Sequence, residues 1–100
     1  MSMPTGKQPE AGPFARAIAA EIRESMARQR VSGQMLADWT GMSQSYLSRR
    51  LADKVAFTAN DIEAICKVLG EDILTLIEAA VESAGLSPKP PLEDEPGAQE

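Results

Sequence analysis

Apolar residues recur every three or four positions along most of this chain, which is the spacing of a helix that buries one face. Three long stripes predict helices over about residues 13–29, between Thr58 and Gly70, and over about residues 72–84. Thr58 and Asp72 are suitable N-caps, and Gly70 is suited to end a helix. The inward faces would carry Ile18, Ile22 and Met26; Ile62, Ile65, Cys66 and Leu69; and Ile73, Leu76, Ile77, Ala80 and Val81.

The stretch Ser32–Leu51 predicts two short helices joined by a tight turn. Ser32 and Ser43 are good N-caps, because a serine side chain accepts a hydrogen bond from a free N–H of the first turn. An apolar residue stands just before each serine and another stands four positions after it, as in a hydrophobic staple. Gly41 falls where the chain leaves the first short helix, a position that favours positive φ. The turn is about three residues long, as a helix-turn-helix requires, and Trp39 beside it is expected to be partly buried.

This stretch resembles the helix-turn-helix of the phage-repressor family, the lambda-repressor and Cro type. The residues that carry the resemblance are Leu36, Ala37, Gly41, Met42, Ser43 and Leu47, followed by Phe57 to Ile62, Ala64, Ile65 and Val68 to Gly70. It covers roughly residues 14–84. The resemblance implies an all-α fold: a compact five-helix lambda-repressor-like DNA-binding domain. Pro, Gly and acidic residues at the two ends predict a flexible arm over 1–12, a domain over 13–85 and a disordered acidic, Pro-rich tail over 86–100.

The second short helix, residues 43–52, corresponds to the recognition helix of that family. By resemblance, bases are read from the positions of Gln44, Ser45 and Arg49, and Ser48 falls on the same side. An arginine can bond the O6 and N7 edge of guanine, and a glutamine can bond adenine in the same bidentate way. We therefore expect base contacts from Gln44, Ser45, Ser48 and Arg49, although a plain polar helix surface is the simpler alternative.

A second group of residues is expected at the DNA backbone. Free N–H groups at the start of a helix form a natural phosphate site. We therefore expect phosphate contacts at the start of the first motif helix and at the start of the helix that follows Thr58. The family often contacts phosphate at the position of Lys54. Arg50 stands where the family usually has an apolar residue, so either Leu51 takes over that packing or the Arg50 head reaches a phosphate. The expected backbone contacts are Ser32, Gly33, Gln34, Tyr46, Arg50, Lys54 and Asn60.

The last predicted helix has two possible roles. In several relatives the corresponding helix pairs two subunits, which implies a homodimer interface at Leu74, Ile77 and Val81. Such a dimer would place two recognition helices about 34 Å apart, one turn of DNA. The alternative is that this helix only closes the core of one subunit.

Charge complicates the expectation of DNA binding, because the chain carries a net charge of −5. Residues 14–70 hold eight lysines or arginines against six acids, whereas residues 71–85 hold four acids and no base. The acid is therefore concentrated toward the C-terminal end. Binding depends on the charge of one face rather than on the total. A mildly basic face predicts weak non-specific affinity with steep salt dependence.

Other classes of function are disfavoured by what the sequence does not contain. It has no histidine, no metal-ligand cluster and no Gly-rich phosphate loop, so we expect neither an enzyme nor a cofactor. A single cysteine, Cys66, is expected to be a buried apolar residue. No signal peptide or membrane-spanning stretch is apparent, which predicts a soluble, cytoplasmic protein of a bacterium or a phage-infected cell.

Two hypotheses of function follow. The first is a sequence-specific transcription regulator that binds double-stranded DNA, a phage-type immunity or Cro-like repressor that occupies an operator. We expect it to be a homodimer, at least when bound to DNA. The second is a protein-interaction module, or an antitoxin-type regulator, that uses the same fold. In that second hypothesis the acidic tail is a possible contact for a protein partner.

Overall fold

The computed structural model describes residues 9–86 of the chain, which form five α-helices joined by short loops. They are α1 (Pro13–Gln29), α2 (Gly33–Thr40), α3 (Gln44–Leu51), α4 (Ala59–Leu69) and α5 (Ile73–Ser83). No strand occurs in this part of the chain, and the predicted all-α, five-helix fold is confirmed. Most of the predicted arm and nearly all of the predicted tail lie outside the described residues.

The helices begin where the sequence places their caps. The Ser32 and Ser43 hydroxyls accept hydrogen bonds from the Met35 and Tyr46 N–H groups, each at 3.1 Å. The Thr58 and Asp72 side chains do the same for α4 and α5, at 3.0 Å each. Each cap satisfies one of the N–H groups that the first turn of a helix leaves without a partner. The four boundaries are therefore fixed by local chemistry.

Helix α1 ends at Gln29, as the apolar stripe predicted, although no glycine follows it. Arg30 takes the left-handed conformation instead, with φ of 59°, and its N–H donates to the Ala27 carbonyl. The Val31 N–H then donates to the Met26 carbonyl at 2.9 Å, and the Val31 side chain is buried. A non-glycine residue in this conformation costs roughly 1–2 kcal/mol. The burial of Val31 offsets that cost.

The core is one cluster that all five helices share. The largest fully buried apolar side chains come from four different helices and are Ile18, Ile22, Leu36, Leu47 and Ile65. Helix α1 contacts α3, α4 and α5, and α2 contacts α3 and α4. Cys66 is buried in this cluster, as expected, and burial raises the pKa of its thiol. Helix α3 is thus anchored from two sides.

A polar network ties the end of α1 to the loop between α4 and α5. The Ser25 hydroxyl is buried and donates to Glu71 Oε2, which also pairs with Arg28 Nη2 at 3.1 Å. The Gln29 amide donates to the Leu69 carbonyl at 2.8 Å, at the end of α4. Every buried polar group named here has a partner, so the network fixes this corner without an uncompensated desolvation cost.

Packing begins slightly before the predicted domain boundary. Ala11 is buried, and its carbonyl accepts a hydrogen bond from Arg16 Nη1 at 2.9 Å. Ala11 was assigned to the flexible arm, so the packed domain starts two residues earlier than residue 13. Residues 1–8 of the predicted arm lie outside the described part of the chain.

Candidate nucleic-acid interface

Helix α3 presents a polar face to solvent and an apolar face to the core. Leu47 is buried and Leu51 is partly buried, one turn apart on the inward side. The four residues expected to contact bases, Gln44, Ser45, Ser48 and Arg49, are all exposed. Ser45 and Arg49 are four positions apart and so share one side of the helix. The structure therefore brings this predicted group together on one accessible surface.

The start of α2 lies beside this surface. An open cleft of about 490 Å³ is lined by Gly33, Gln34, Gln44, Leu47, Ser48, Leu51 and Ala52. It places the first turn of α2 next to the flank of α3 that carries Gln44 and Ser48. Two predicted backbone contacts are thus adjacent to two predicted base contacts. Free N–H groups at the N-terminus of a helix favour an anion such as phosphate.

The opposite flank of α3 is joined to the start of α4 by a buried cluster of three side chains. Tyr46 Oη donates to Asp61 Oδ2 at 2.8 Å, and Arg50 Nε lies 3.7 Å from the same oxygen. The Arg50 guanidinium carbon sits 3.6 Å above the Tyr46 ring, a cation–π contact. Arg50 is only 8% exposed. We call Tyr46, Arg50 and Asp61 the Asp61 cluster.

Asp61 also caps α4. Its Oδ2 accepts from the Thr58 N–H at 3.0 Å, while its own N–H donates to Thr58 Oγ1 at 3.0 Å. The short capping box expected at Thr58 is therefore present, but its carboxylate has a second role toward α3. The hydrogen bond to Asp61, with burial, raises the pKa of the Tyr46 hydroxyl. One carboxylate thus orders the beginning of α4 and the flank of α3.

Sequence reasoning missed the Asp61 cluster, because it assigned its members separately. Tyr46 and Arg50 were expected at the DNA backbone, and Asp61 was expected only as part of a cap. The signal was the charged residue at position 50, where the resemblance implies an apolar one. The structure supplies the reason: Asp61, eleven residues along the chain, compensates the charge that Arg50 brings into the protein.

The remaining predicted backbone residues are exposed near the two ends of this surface. Lys54 follows α3 in a loop whose turn is held by the bond from its N–H to the Arg49 carbonyl, 3.0 Å. Asp53 takes φ of 67° in this loop and pairs with Arg23 at 3.5 Å. Asn60 is exposed in the first turn of α4. Lys54 and Asn60 therefore remain accessible.

Two cations of this surface have no acidic partner among the described residues, although the chain as a whole is negatively charged. Arg23, Arg28 and Arg50 each pair with an acid, whereas within residues 9–86 no acidic oxygen lies within 4 Å of the Arg49 or Lys54 side chains. The acid-rich helix α5 contacts α1 and α4 but, among the described residues, neither α2 nor α3. The acids of α5 therefore lie on a helix that packs against α1 and α4 rather than against α3.

An exposed apolar pair lies on the outer side of α2. Trp39 is 48% exposed and Met35, four positions earlier, is 38% exposed. Trp39 was expected to be partly buried against a neighbouring helix, whereas the structure leaves it exposed. The Thr40 hydroxyl donates to the Leu36 carbonyl and accepts from the Met42 N–H at 3.3 Å, which fixes the turn next to Trp39.

Comparison with known proteins assigns this arrangement to a family. The family described as "Helix-turn-helix domain" matches residues 17–80, which include all of α2, α3 and α4. The chain belongs to this helix-turn-helix family. The resemblance drawn from Leu36, Ala37, Gly41 and Leu47 is therefore confirmed. Members of the family are DNA-binding transcription regulators and typically are not enzymes, and this chain is a regulator of that general kind.

Two solved structures share the fold. A crystal structure of the clp gene regulator ClgR from C. glutamicum matches with a TM-score of 0.65 and 24% identity, covering 78% of this chain and 99% of that one. A second crystal structure of ClgR from Corynebacterium glutamicum gives a TM-score of 0.67 and 23% identity, over 91% and 92% of the two chains. At these identities the likeness concerns the fold. No curated protein matches the sequence.

Neither a membrane-spanning helix nor a metal-binding cluster of side chains occurs within residues 9–86. In this range no helix combines the length and the apolar character that crossing a membrane requires. The same range contains no group of three or more cysteine, aspartate or glutamate side chains placed to hold a metal ion.

Proposed function

We propose that this helix-turn-helix protein is a sequence-specific regulator of the phage-repressor type, which occupies an operator in double-stranded DNA through α3. The observation that carries the proposal is the exposed polar face of α3, where Arg49 is exposed and has no acidic partner among the described residues. The solved structures that share the fold belong to a named gene regulator, which supports a regulatory role.

In this proposal α3 enters the major groove, and base edges are read by Gln44, Ser45, Ser48 and Arg49. A good bidentate contact from Arg49 to guanine would contribute about 1–3 kcal/mol of discrimination against a wrong base. Helices α1 and α2 hold α3 from behind, and the Tyr46 and Arg50 side chains join it to Asp61 of α4. The backbone of α3 is therefore already ordered before it meets DNA, which lowers the entropy cost of binding.

Backbone contacts would come from both sides of α3. We assign them to Ser32, Gly33 and Gln34 at the start of α2, and to Lys54 and Asn60 around the start of α4. Each helix start offers N–H groups to a phosphate, and Lys54 adds a charge. Tyr46 and Arg50, which the sequence also placed at the backbone, are directed toward Asp61 in the structure. We therefore give them a supporting role instead.

A homodimer on DNA would use the exposed side of α5, at Leu74, Ile77 and Val81. Leu74 is 60% exposed, and a groove beside it includes Ile77, Val81 and two glutamates. Sedimentation of a Leu74→Glu variant tests the interface, with Glu63→Gln, at an exposed acid of α4 outside this groove, as the control. We expect the wild type and the control to dimerise on operator DNA and Leu74→Glu to bind as a monomer. A wild type that binds as a monomer at tens of micromolar protein would contradict this proposal.

Selection of random duplex DNA on the purified chain tests the proposed function. We expect a palindromic sequence to be enriched, and Arg49→Ala to lose that preference by about tenfold or more. Lys67→Ala is the matched control, because it removes an exposed positive charge on α4 away from α3. Enrichment of no sequence, even at low salt, would overturn the proposal.

A second candidate is a protein-interaction module or an antitoxin-type regulator. The observation that favours it is the exposed pair Met35 and Trp39 on α2. Trp39 is the only tryptophan in the chain, so its fluorescence reports a partner bound at this site. The acidic tail, the other contact considered for a partner, lies outside the described residues from 87 onward. A failed DNA selection together with a Trp39 response to a protein would favour this candidate.

A further inference from the structure

Two neighbouring arginines of α3 differ completely in their surroundings. Arg49 is exposed, whereas the Arg50 side chain is 9% exposed and lies 3.7 Å from the Asp61 carboxylate, itself 10% exposed. Arg50 Nη1 also donates to the Tyr46 carbonyl at 3.2 Å. The chain therefore carries one cation outward and one inward at adjacent positions of the same helix.

The inward cation sits near a place where DNA backbone is expected. Asp61 belongs to the first turn of α4, and Arg50 reaches this turn from the flank of α3. Ala59 and Asn60, whose N–H groups would meet a phosphate, are in the same turn. An arginine released from Asp61 at this point would find a phosphate within reach of its long side chain.

Phosphate contacts strengthen binding to every DNA sequence equally. Each one adds about 0.9 to the slope of log K against log salt and carries no direct sequence information. An arginine withheld from phosphate thus lowers the affinity for operator and unrelated DNA by a similar factor, without affecting base readout. The overall DNA affinity and its salt dependence both fall, whereas the ratio of specific to non-specific binding stays the same.

We propose that Asp61 is a positioning residue that holds Arg50 away from the DNA backbone and thereby sets the overall DNA affinity and its salt dependence. The inference rests on the proposed function, because it requires α3 to face DNA. Asp61 contacts no base and no phosphate in this scheme. It acts through Arg50, and Tyr46 keeps the guanidinium over its ring.

The test is the salt dependence of binding to a selected operator and to an unrelated duplex. Asp61→Asn keeps an oxygen for the Thr58 N–H and the Tyr46 hydroxyl but removes the charge that holds Arg50. We expect its salt slope to steepen by about 0.9, which is about 3.5-fold more affinity lost between about 50 and 200 mM salt. Its preference for the operator over the unrelated duplex should stay unchanged, because a phosphate contact carries no direct sequence information.

Two controls separate this effect from a general change of charge or fold. Glu63→Gln removes an exposed acid from the same helix and should leave the slope unchanged. Asp61→Asn combined with Arg50→Gln removes the released cation and should restore the wild-type slope. Circular dichroism melting of each variant fixes a temperature at which all are folded.

A second comparison does not depend on the folding of Asp61→Asn. In the wild-type background, Arg50→Gln should leave the salt slope unchanged, whereas Arg49→Gln should weaken operator binding and reduce operator preference. If Arg50→Gln lowers the slope by about 0.9, Arg50 already contacts phosphate and the inference is overturned.

The two proposals fail in different ways. If the wild type binds its operator but Asp61→Asn has an unchanged slope, only the role of Asp61 is overturned. If the wild type enriches no sequence and binds no duplex, the proposed function is overturned, and the inference falls with it.

Discussion

At the level of single residues, the carboxylate of Asp61 connects α3 to the first turn of α4. It accepts hydrogen bonds from Tyr46 Oη and the Thr58 N–H and pairs with Arg50. Each of these partners replaces water that the carboxylate loses on burial. Removing one partner leaves the others to compensate a buried charge.

Tyr46→Phe removes one partner without changing shape. We expect the free energy of unfolding to fall by about 1–2 kcal/mol, because a hydrogen bond to a charged group is lost. Urea denaturation followed by circular dichroism measures the change. Ser45→Ala, at the exposed neighbouring position, should change stability by less than about 0.5 kcal/mol. Equal effects of the two variants would contradict the importance of the Tyr46–Asp61 bond.

Alkaline pH should remove the same contribution. The hydrogen bond to Asp61 raises the pKa of Tyr46 in the folded protein, so the folded state holds this proton more tightly than the unfolded state. The stabilisation is complete below the unfolded pKa of about 10 and is lost as pH rises through the folded pKa. The stability difference between wild type and Tyr46→Phe should therefore close above pH of about 10.

Tyr46 is the only tyrosine in the chain, so its ionisation can be followed directly. The ultraviolet absorbance of tyrosinate should appear at higher pH in the folded protein than in urea. A folded-state titration at or below the unfolded one would contradict the assigned hydrogen bond.

At the level of elements, the turn between α2 and α3 depends on one backbone conformation. Gly41 has φ of 82°, which side chains other than glycine adopt at a cost of roughly 1–2 kcal/mol. Gly33, in the first turn of α2, has ordinary helical geometry and space for a methyl group. The two glycines of the motif are therefore not equivalent.

Alanine at each glycine separates these roles. Gly41→Ala should lower the free energy of unfolding by about 1 kcal/mol, because alanine is strained in this positive-φ backbone conformation. No atom lies within 4 Å of the added methyl group, so crowding adds nothing to this cost. Gly33→Ala should raise it by about 0.5 kcal/mol, because alanine has less freedom to lose in a helix. Thermal melting of both variants checks the opposite signs, and a shared sign would contradict this account of the turn.

Elements were predictable from the sequence where local chemistry decides them. Each of four N-caps accepts a hydrogen bond from the residue three positions later, so the neighbouring residues were enough to predict it. The four caps are Ser32, Ser43, Thr58 and Asp72. The apolar stripe of α1 predicted its end near Gln29 but not the left-handed conformation of Arg30, which no glycine signals and the burial of Val31 supports.

The candidate site was predictable only in part for a related reason. The exposed face of α3 follows from helical periodicity, which Leu47 and Leu51 reveal. The pairing of Arg50 with Asp61 depends on how α4 packs beside α3, and no local rule contains that information. The outward or inward direction of a long side chain is decided by its tertiary neighbours.

At the level of the whole molecule, one small core supports all five helices. A domain of this size has a free energy of unfolding of about 4–12 kcal/mol. Leu36→Ala, at a fully buried position, should lower it by about 2–5 kcal/mol. Leu74→Ala, at an exposed position, should change it by less than about 0.5 kcal/mol. Chemical denaturation measures both, and similar losses would mean that Leu74 is buried in solution.

The division of α3 into two sets of residues has a consequence for how such proteins diversify. Tyr46, Leu47 and Arg50 hold the helix in place, whereas Gln44, Ser45, Ser48 and Arg49 contribute little to that hold. A library randomised at these four exposed positions should therefore retain folded members in high proportion. New binding preferences would then be accessible by substitution without a compensating change elsewhere in the chain.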